Sequence, residues 1–306
     1  MDAGDGSGSG LFGWLWSRLP TLRNPLPNPG KYEDYNAESR SVLMAAETFD
    51  GMKFELNKGL SPVFAFNHNI SLGSSQSPAG TYEFGAHYAT NSSLLVSRID
   101  TSGNLQARAQ HQLSPQAVIR GQGAFFTQDH LSHASFDLDY RGSDWCGTAR
   151  VGTHGNYALS YLQSLTPKLS AGIATEYTGR LYGHARHISA LSGSLRYNTP
   201  DWVATAQLAS YGAAIFSFTR RVRENVNLAT ELQVFSNGAS RDSACSIGME
   251  YRLRVGSFKS FITNTGHGTA FLEKKLSPEI AFQLSGDLDH KKKDYKFGVG
   301  LVVGGQ

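Results

Sequence analysis

The sequence predicts an all-β protein, a transmembrane antiparallel β-barrel of about 19 strands. Three observations carry that reading. From Phe49 onward, apolar and polar residues alternate with a period of two in segment after segment. Gly (33), Phe (17) and Tyr (13) are abundant, as strands and turns require, and no apolar run reaches the roughly 18 residues of a spanning helix. The second face of the alternating segments carries charge in strand after strand, so the two faces need different solvents.

The chain has 306 residues, enough for one large β domain or two medium ones. Its 28 basic and 25 acidic side chains leave a net charge of +3, with none of the concentrated basic character of a nucleic-acid binder. Two cysteines, Cys146 and Cys245, do not make a disulfide scaffold. The start, MDAGDGSGSG, holds Asp2 and Asp5 and no Lys or Arg before Arg18. Neither a secretory signal nor an Arg-rich presequence is expected there, and any membrane address lies elsewhere in the chain.

In chain order, residues 1–31 are rich in Gly, Ser and Pro and read as a poorly ordered tail. Within it, LFGWLW offers Trp14 and Trp16 to a membrane interface or a partner. Residues 32–48 form a helix and linker. KYEDYNAESRSVLMAAE lacks Gly and Pro, which predicts one helix over about 33–46. The barrel occupies 49–306. MKFELN sets Met52, Phe54 and Leu56 against Lys53, Glu55 and Asn57. TYEFGAHY sets Tyr82, Phe84 and Ala86 against Glu83, Gly85 and His87. SFDLDYRG, SIGMEYRLRV and IAFQLSGDLD repeat the pattern.

A phrase recurs at His111, Gln163, Arg220 and Lys274: a polar strand end, a short turn and a new strand. Its key apolar residues, Leu113, Leu165, Val222 and Leu276, lie 52, 57 and 54 apart. At about 13 residues per strand and turn, each interval holds about four strands. An even step keeps the four phrases on one rim. So many strands closed into a ring cannot fill the interior with side chains, and a wide lumen results. The apolar face then looks outward to lipid, and closure pairs every backbone group, as a bilayer demands. The last strand, DYKFGVGLVV, puts Tyr295, Phe297, Val299, Leu301 and Val303 outward and Lys296, Gly298, Gly300 and Val302 inward.

Lys296, Gly298, Leu301 and Val303 satisfy the order polar, Gly, apolar, apolar of the β-signal that mitochondrial outer-membrane barrels carry in their final strand. Longer phrases are more specific: FDGMKFELNKGLS, GTYEFGAHY, FDLDYRGSDW, YLQSLTPKLSAG, RYNTPDWVATAQLAS and HKKKDYKFGVGLVVGG. From about Asn28 onward the chain resembles the channel-forming subunits of the mitochondrial outer-membrane protein translocase, within the eukaryotic porin family. That resemblance implies nineteen strands with the first and last paired in parallel, and a helix (here Glu33 to Ala46) inside the lumen. It implies passage of unfolded mitochondrial precursor proteins across the outer membrane, without covalent chemistry or cofactor. Presequences are basic, and strand parity puts Glu55, Glu83, Asp137, Asp139, Glu176, Glu231, Glu250, Asp287 and Asp289 on the inner wall. Lys53, Arg141, Arg252, Arg254 and Lys259 share that wall. Implied partners are the precursors, small helical subunits, presequence receptors, membrane lipid and further barrels, and no nucleic acid.

Other chemistries find little support. GHARH (His184, His187) and HLSH (His130, His133) lack a fixed set of metal ligands and read as loops. Lys291–Lys293 reads as a solvated turn or a headgroup contact. No G-x-S-x-G elbow occurs, so hydrolase chemistry has no basis. The competing readings are a metabolite porin of the same barrel class and a soluble multi-sheet adaptor.

Overall fold

A computed structural model describes residues 26–43, 48–75, 79–127, 132–179, 187–237 and 240–304. The described residues form one closed sheet of 19 strands. In chain order these are β1 (Gly51–Ser61), β2 (Phe64–Leu72), β3 (Thr81–Ala89), β4 (Ser93–Asp100), β5 (Leu105–Gln112) and β6 (Ala117–Phe125). They continue as β7 (His133–Arg141), β8 (Trp145–Gly152), β9 (Asn156–Ser164), β10 (Leu169–Thr178), β11 (Ile188–Asn198), β12 (Trp202–Ala209) and β13 (Ala213–Arg223). The ring is completed by β14 (Val226–Asn237), β15 (Ser240–Leu253), β16 (Gly256–Thr263), β17 (His267–Ser277), β18 (Ile280–Asp289) and β19 (Asp294–Val303). Neighbours in sequence pair antiparallel throughout. The seam is the exception, where β1 runs parallel to β19 from Gly51↔Gly298 to Leu56↔Val303.

The ladders fix which face each residue takes. At the seam, Met52, Phe54 and Leu56 sit opposite Val299, Leu301 and Val303, one continuous outer surface. Outward Phe297 and Ile262 are each 68% exposed. Among the described residues the buried apolar side chains are few: Tyr32, Tyr35, Val42, Cys146, Leu162, Ala213, Ala229 and Phe271. All of them lie inside the ring, on its inner wall or on the segment preceding β1. Among the described residues no protein buries the outer apolar face, and hydrocarbon takes that place. Aromatic residues cluster at both ends of that face. Tyr140, Trp145 and Tyr161 stack at one rim, as do Tyr197, Trp202 and Phe218, while Tyr157 and Tyr177 stack at the other.

The turns after odd-numbered strands share the rim at which β19 reaches Val303, here the C-terminal rim. The recurring phrases fall on the turns after β5, β9, β13 and β17, four strands apart on that rim, as their spacing predicts. Their apolar residues Leu113, Leu165, Val222 and Leu276 are all exposed there.

The helix is shorter than its composition predicts. A 3-10 turn spans Tyr32–Asp34, and α1 spans Ala37–Leu43; residues 44–47 lie outside the described residues. The break has a cause across the lumen. The Arg196 guanidinium on β11 donates to the backbone carbonyl of Tyr35 at 2.7 Å and to Glu38 at 2.9 Å, drawing this stretch onto the wall. The Asn36 carbonyl accepts both the Arg40 N–H and the Ser39 hydroxyl at 3.0 Å.

Candidate functional site

The site is the lumen, and its shape depends on the segment from Leu26 to Asp50. This segment enters at the C-terminal rim. There the Asn28 amide donates to the carbonyls of Gly142 and Trp145 at 2.9 and 3.1 Å, and the Ser164 hydroxyl donates to the Pro27 carbonyl at 2.7 Å. Residues 26–31, grouped with the tail by composition, thus lie against the wall at β7–β9. The segment then crosses the inner faces of β10–β16, with Tyr32 hydroxyl to Ser192 at 2.8 Å and α1 against β13–β16. Burial pushes the Tyr35 phenol up to about 12, and its hydroxyl donates to Gln207. The linker reaches the seam at Phe49, whose N–H donates to Ser285 at 2.9 Å and whose ring lies over Gly298 and Gly300. Asp50 then receives the Ser74 hydroxyl and the Ser75 N–H, each at 2.6 Å, and these bonds hold its carboxyl down at about 2.

One charge cluster clamps the segment. Lys31 lies 2.7 Å from Asp139; Arg120 lies 2.8 Å from Asp139 and 3.3 Å from Glu33; Arg150 lies 2.7 Å from Asp137 and also pairs with Glu33. Three cations meet three carboxylates. Asp139 is fully buried and Asp137 is 3% exposed, so removing Arg120 or Arg150 would leave a buried carboxylate short of its main cation.

The register turns all nine predicted acids toward the lumen, and their surroundings divide them. Asp137 and Asp139 are enclosed by the clamp. Glu250 is buried, accepting from Asn227 at 2.8 Å and pairing with Arg252 at 3.2 Å. Asp287 lies 2.6 Å from His267. Asp289 serves its own hairpin, accepting the N–H groups of Lys291 and Lys292 at 3.0 Å. The other four line polar hollows of the lumen in two groups. Glu55 and Glu83 share a polar pocket with Asn67, Asn69, Arg98 and Asp100 on β1–β4, with Lys53 2.5 Å from Glu55. Glu176 and Glu231 line the chamber beside Tyr32, Tyr35 and Gln207. Among the described residues, Glu176 has no ion pair.

Sequence parity places Arg254 on the same wall, but β15 stops at Leu253 and Arg254 stands in the 254–255 turn. Arg141, Arg252 and Lys259 keep inward registers, at Cys146, Ser257 and Glu250. The reading from sequence missed Asp100, Arg98, Arg108, Arg120, Arg150 and Arg196. Arg120 and Arg150 sit in AVIRGQGAF and WCGTARVG, where Gly and Ala blur the alternation. In the terminal strand Lys296 lies 3.3 Å from Asp294, and Gly298 lies under Phe49. Leu301 and Val303 face outward opposite Phe54 and Leu56. His187 hydrogen-bonds the Tyr177 hydroxyl at 2.7 Å; His184, His130, Trp14 and Trp16 lie outside the described residues. No group of three or more potential metal ligands occurs among the described residues.

A wide polar lumen inside an apolar ring, sealed by a parallel seam and partly filled by an inner segment, defines a pore-forming membrane barrel. The chain belongs to the eukaryotic porin family, whose model matches residues 28–298. It is 31% identical to the Arabidopsis thaliana protein named "Probable mitochondrial import receptor subunit TOM40-2", over 90% of each chain. It is 30% identical to the Xenopus tropicalis mitochondrial import receptor subunit TOM40 homolog, covering 93% of this chain and 86% of that one. Identity to the Saccharomyces cerevisiae mitochondrial import receptor subunit TOM40 is 28%, covering 90% and 78%.

Proposed function

We propose that this barrel sits in the mitochondrial outer membrane and conducts unfolded precursor proteins through its lumen. The observation that carries this reading is the similarity to import receptor subunits along some nine-tenths of the chain. The physics agrees with it. Conduction needs sites weak enough to release cargo. An exposed charge pair is worth about 0–1 kcal/mol, which suits a basic presequence moving past Glu55, Glu83, Glu176 and Glu231. Asp137, Asp139 and Glu250 are held by partners, and their contribution is to shape the wall and to anchor the segment. The channel is a passive conduit, so no residue is assigned a catalytic role and no cofactor is invoked. Small helical subunits, presequence receptors and further barrels are its proposed companions, with the outer apolar face as the surface available to membrane-embedded ones.

The reading of a metabolite porin keeps the same barrel and differs in cargo. Reconstituted single channels separate the two. Block by a synthetic basic presequence, with none by a neutral peptide of equal length, supports precursor conduction. Equal block by both, or by neither, removes it.

A further inference from the structure

The C-terminal rim carries a charge imbalance that conduction does not use. Across the adjoining ends of β13–β18, Arg220, Arg223, Arg252, Arg254, Lys274 and Lys275 are all exposed. Among the described residues only Arg252 of these six has a carboxylate within ion-pairing distance, Glu250 at 3.2 Å. With Arg221 the arc holds seven cations against four acids (Glu224, Glu250, Glu273 and Glu279), an excess of three. The Lys291–Lys293 turn on the opposite rim is built differently. Asp289 accepts its backbone N–H groups and lies 3.9 Å from the Lys292 ammonium, so acids of the same hairpin balance it.

Strand parity gives the arc its direction. Arg220 pairs across the sheet with Trp202 and Leu228, all on the outer face, and the next outward residue toward mid-membrane is Phe218, 43% exposed. Lys274 pairs with Gly256 and Phe282, and the next outward residue is Leu272. Trp202 belongs to the aromatic girdle, with ring centroids 5.1 Å from Tyr197 and 5.8 Å from Phe218. Two cations therefore stand on the lipid side at girdle height. Their methylene stems can lie along apolar neighbours while their charges reach the headgroup layer. Arg223 and Arg254 project from or beside the turns above them.

We infer that this arc is a binding site for anionic phospholipid headgroups, independent of what the lumen conducts. A phosphate diester drawn to Arg220 or Lys274 places its acyl chains along the outward columns beneath them. An acidic protein segment on the aqueous side has no such fit, because the bilayer occupies the space in front of both side chains. Arg–phosphate contacts are bidentate and strong for their size.

Trp202 provides the readout, and Trp145 provides a control at the same rim. Trp145 also faces outward, but its neighbourhood holds Asp144 beside Gln163 and lacks the arc. Two single-tryptophan proteins are refolded into zwitterionic vesicles: one with Trp14→Phe, Trp16→Phe and Trp145→Phe, the other keeping Trp145 alone. Quenching by dibrominated phosphatidylglycerol is compared with that by dibrominated phosphatidylcholine at equal mole fraction. The expected result is roughly threefold or greater preference for the anionic quencher at Trp202, and equal quenching at Trp145. Arg220→Gln, Arg223→Gln and Lys274→Gln together should bring the Trp202 ratio to about one. Arg254→Glu, in a turn outside every ladder, is a second variant that lowers the ratio should the triple variant fail to refold. Equal quenching at both tryptophans, or a preference that survives these changes, overturns the proposal. So does a Trp202 response to soluble polyglutamate without any lipid preference, which would assign the arc to an acidic protein.

Discussion

Placing a methyl group on residue 298 tests how the seam is closed. A Cβ there would lie 2.6 Å from the Phe49 ring and closer still to the Phe49 carbonyl oxygen. At Gly300 the same ring would be 2.9 Å away. The wall is backbone on one side and an anchored linker on the other, so the linker has to lift. Overpacking of this kind costs about 1–3 kcal/mol. Lifting also gives up the bond from the Phe49 N–H to Ser285, worth about 1 kcal/mol. Gly298→Ala should therefore destabilise the barrel by about 2–4 kcal/mol. Phe49→Ala, which uncovers a half-buried ring, should cost about 1–2 kcal/mol. The double variant should cost somewhat less than the sum, because the ring part of the collision is gone while the Phe49 carbonyl oxygen remains in the way. Urea unfolding of the refolded barrel, followed by electrophoretic mobility, reads all four proteins. Gly298→Asp should fail mainly at membrane assembly, with near-normal conductance in whatever fraction inserts. Wild-type stability for Gly298→Ala, or strict additivity in the double variant, would refute the proposed contact.

Leu301→Asp places a carboxylate on the lipid face opposite Phe54, near the C-terminal rim, and should lower the inserted fraction, a loss of about 1 kcal/mol, measured by carbonate extraction. The Asp50 carboxyl is depressed to about 2 in the folded state, so its contribution is complete above its ordinary value near 3.8 and fades as pH falls from there to about 2. The stability gap between the parent protein and Asp50→Asn, read from unfolding midpoints, should accordingly be wide at pH 6 and close by about pH 2; a gap that widens on acidification contradicts the assignment. Neutralising Asp287 and Asp289 together should weaken presequence affinity modestly, by less than a factor of about five, and leave the barrel intact. Neutralising Glu55, Glu83, Glu176 and Glu231 should weaken it more. Titration of channel block against presequence concentration ranks the two sets, and the reverse order would move the cargo path.

The ring, its rims and the outward face were legible because they depend on a local rule. A period of two reports its own parity, and MKFELN or DYKFGVGLVV can be read without knowing what pairs with it. The four recurring phrases located one rim because strand and turn lengths vary little. What escaped was non-local. Glu33 finds Arg150 across 117 positions of sequence, and Arg196 reaches the Tyr35 carbonyl across 161. No pattern within a window reports such pairs. The interruption between Asp34 and Ala37 coincides with a bond from the far wall, Arg196 to the Tyr35 carbonyl, which no local pattern reports. Arg254 shows the limit of parity: alternation continues through RLRV in the sequence, but the backbone turns one residue after Leu253. Asp137 and Asp139 look like free wall acids when read in SFDLDYRG, and only the arrival of Lys31, Arg120 and Arg150 encloses them.

The central claim is that the apolar side of each strand meets lipid while the charged side encloses water. Spin labels placed one at a time along residues 295–300 of β19, in a cysteine-free protein reconstituted in vesicles, measure this directly. Collision with dissolved oxygen should peak at positions 295, 297 and 299. Collision with a water-soluble nickel complex should peak at 296, with Gln283 on β18 as a second inward position. Protection of the odd positions from oxygen, or accessibility without a period of two, would mean that this face packs against protein and that the barrel is not the conduit described.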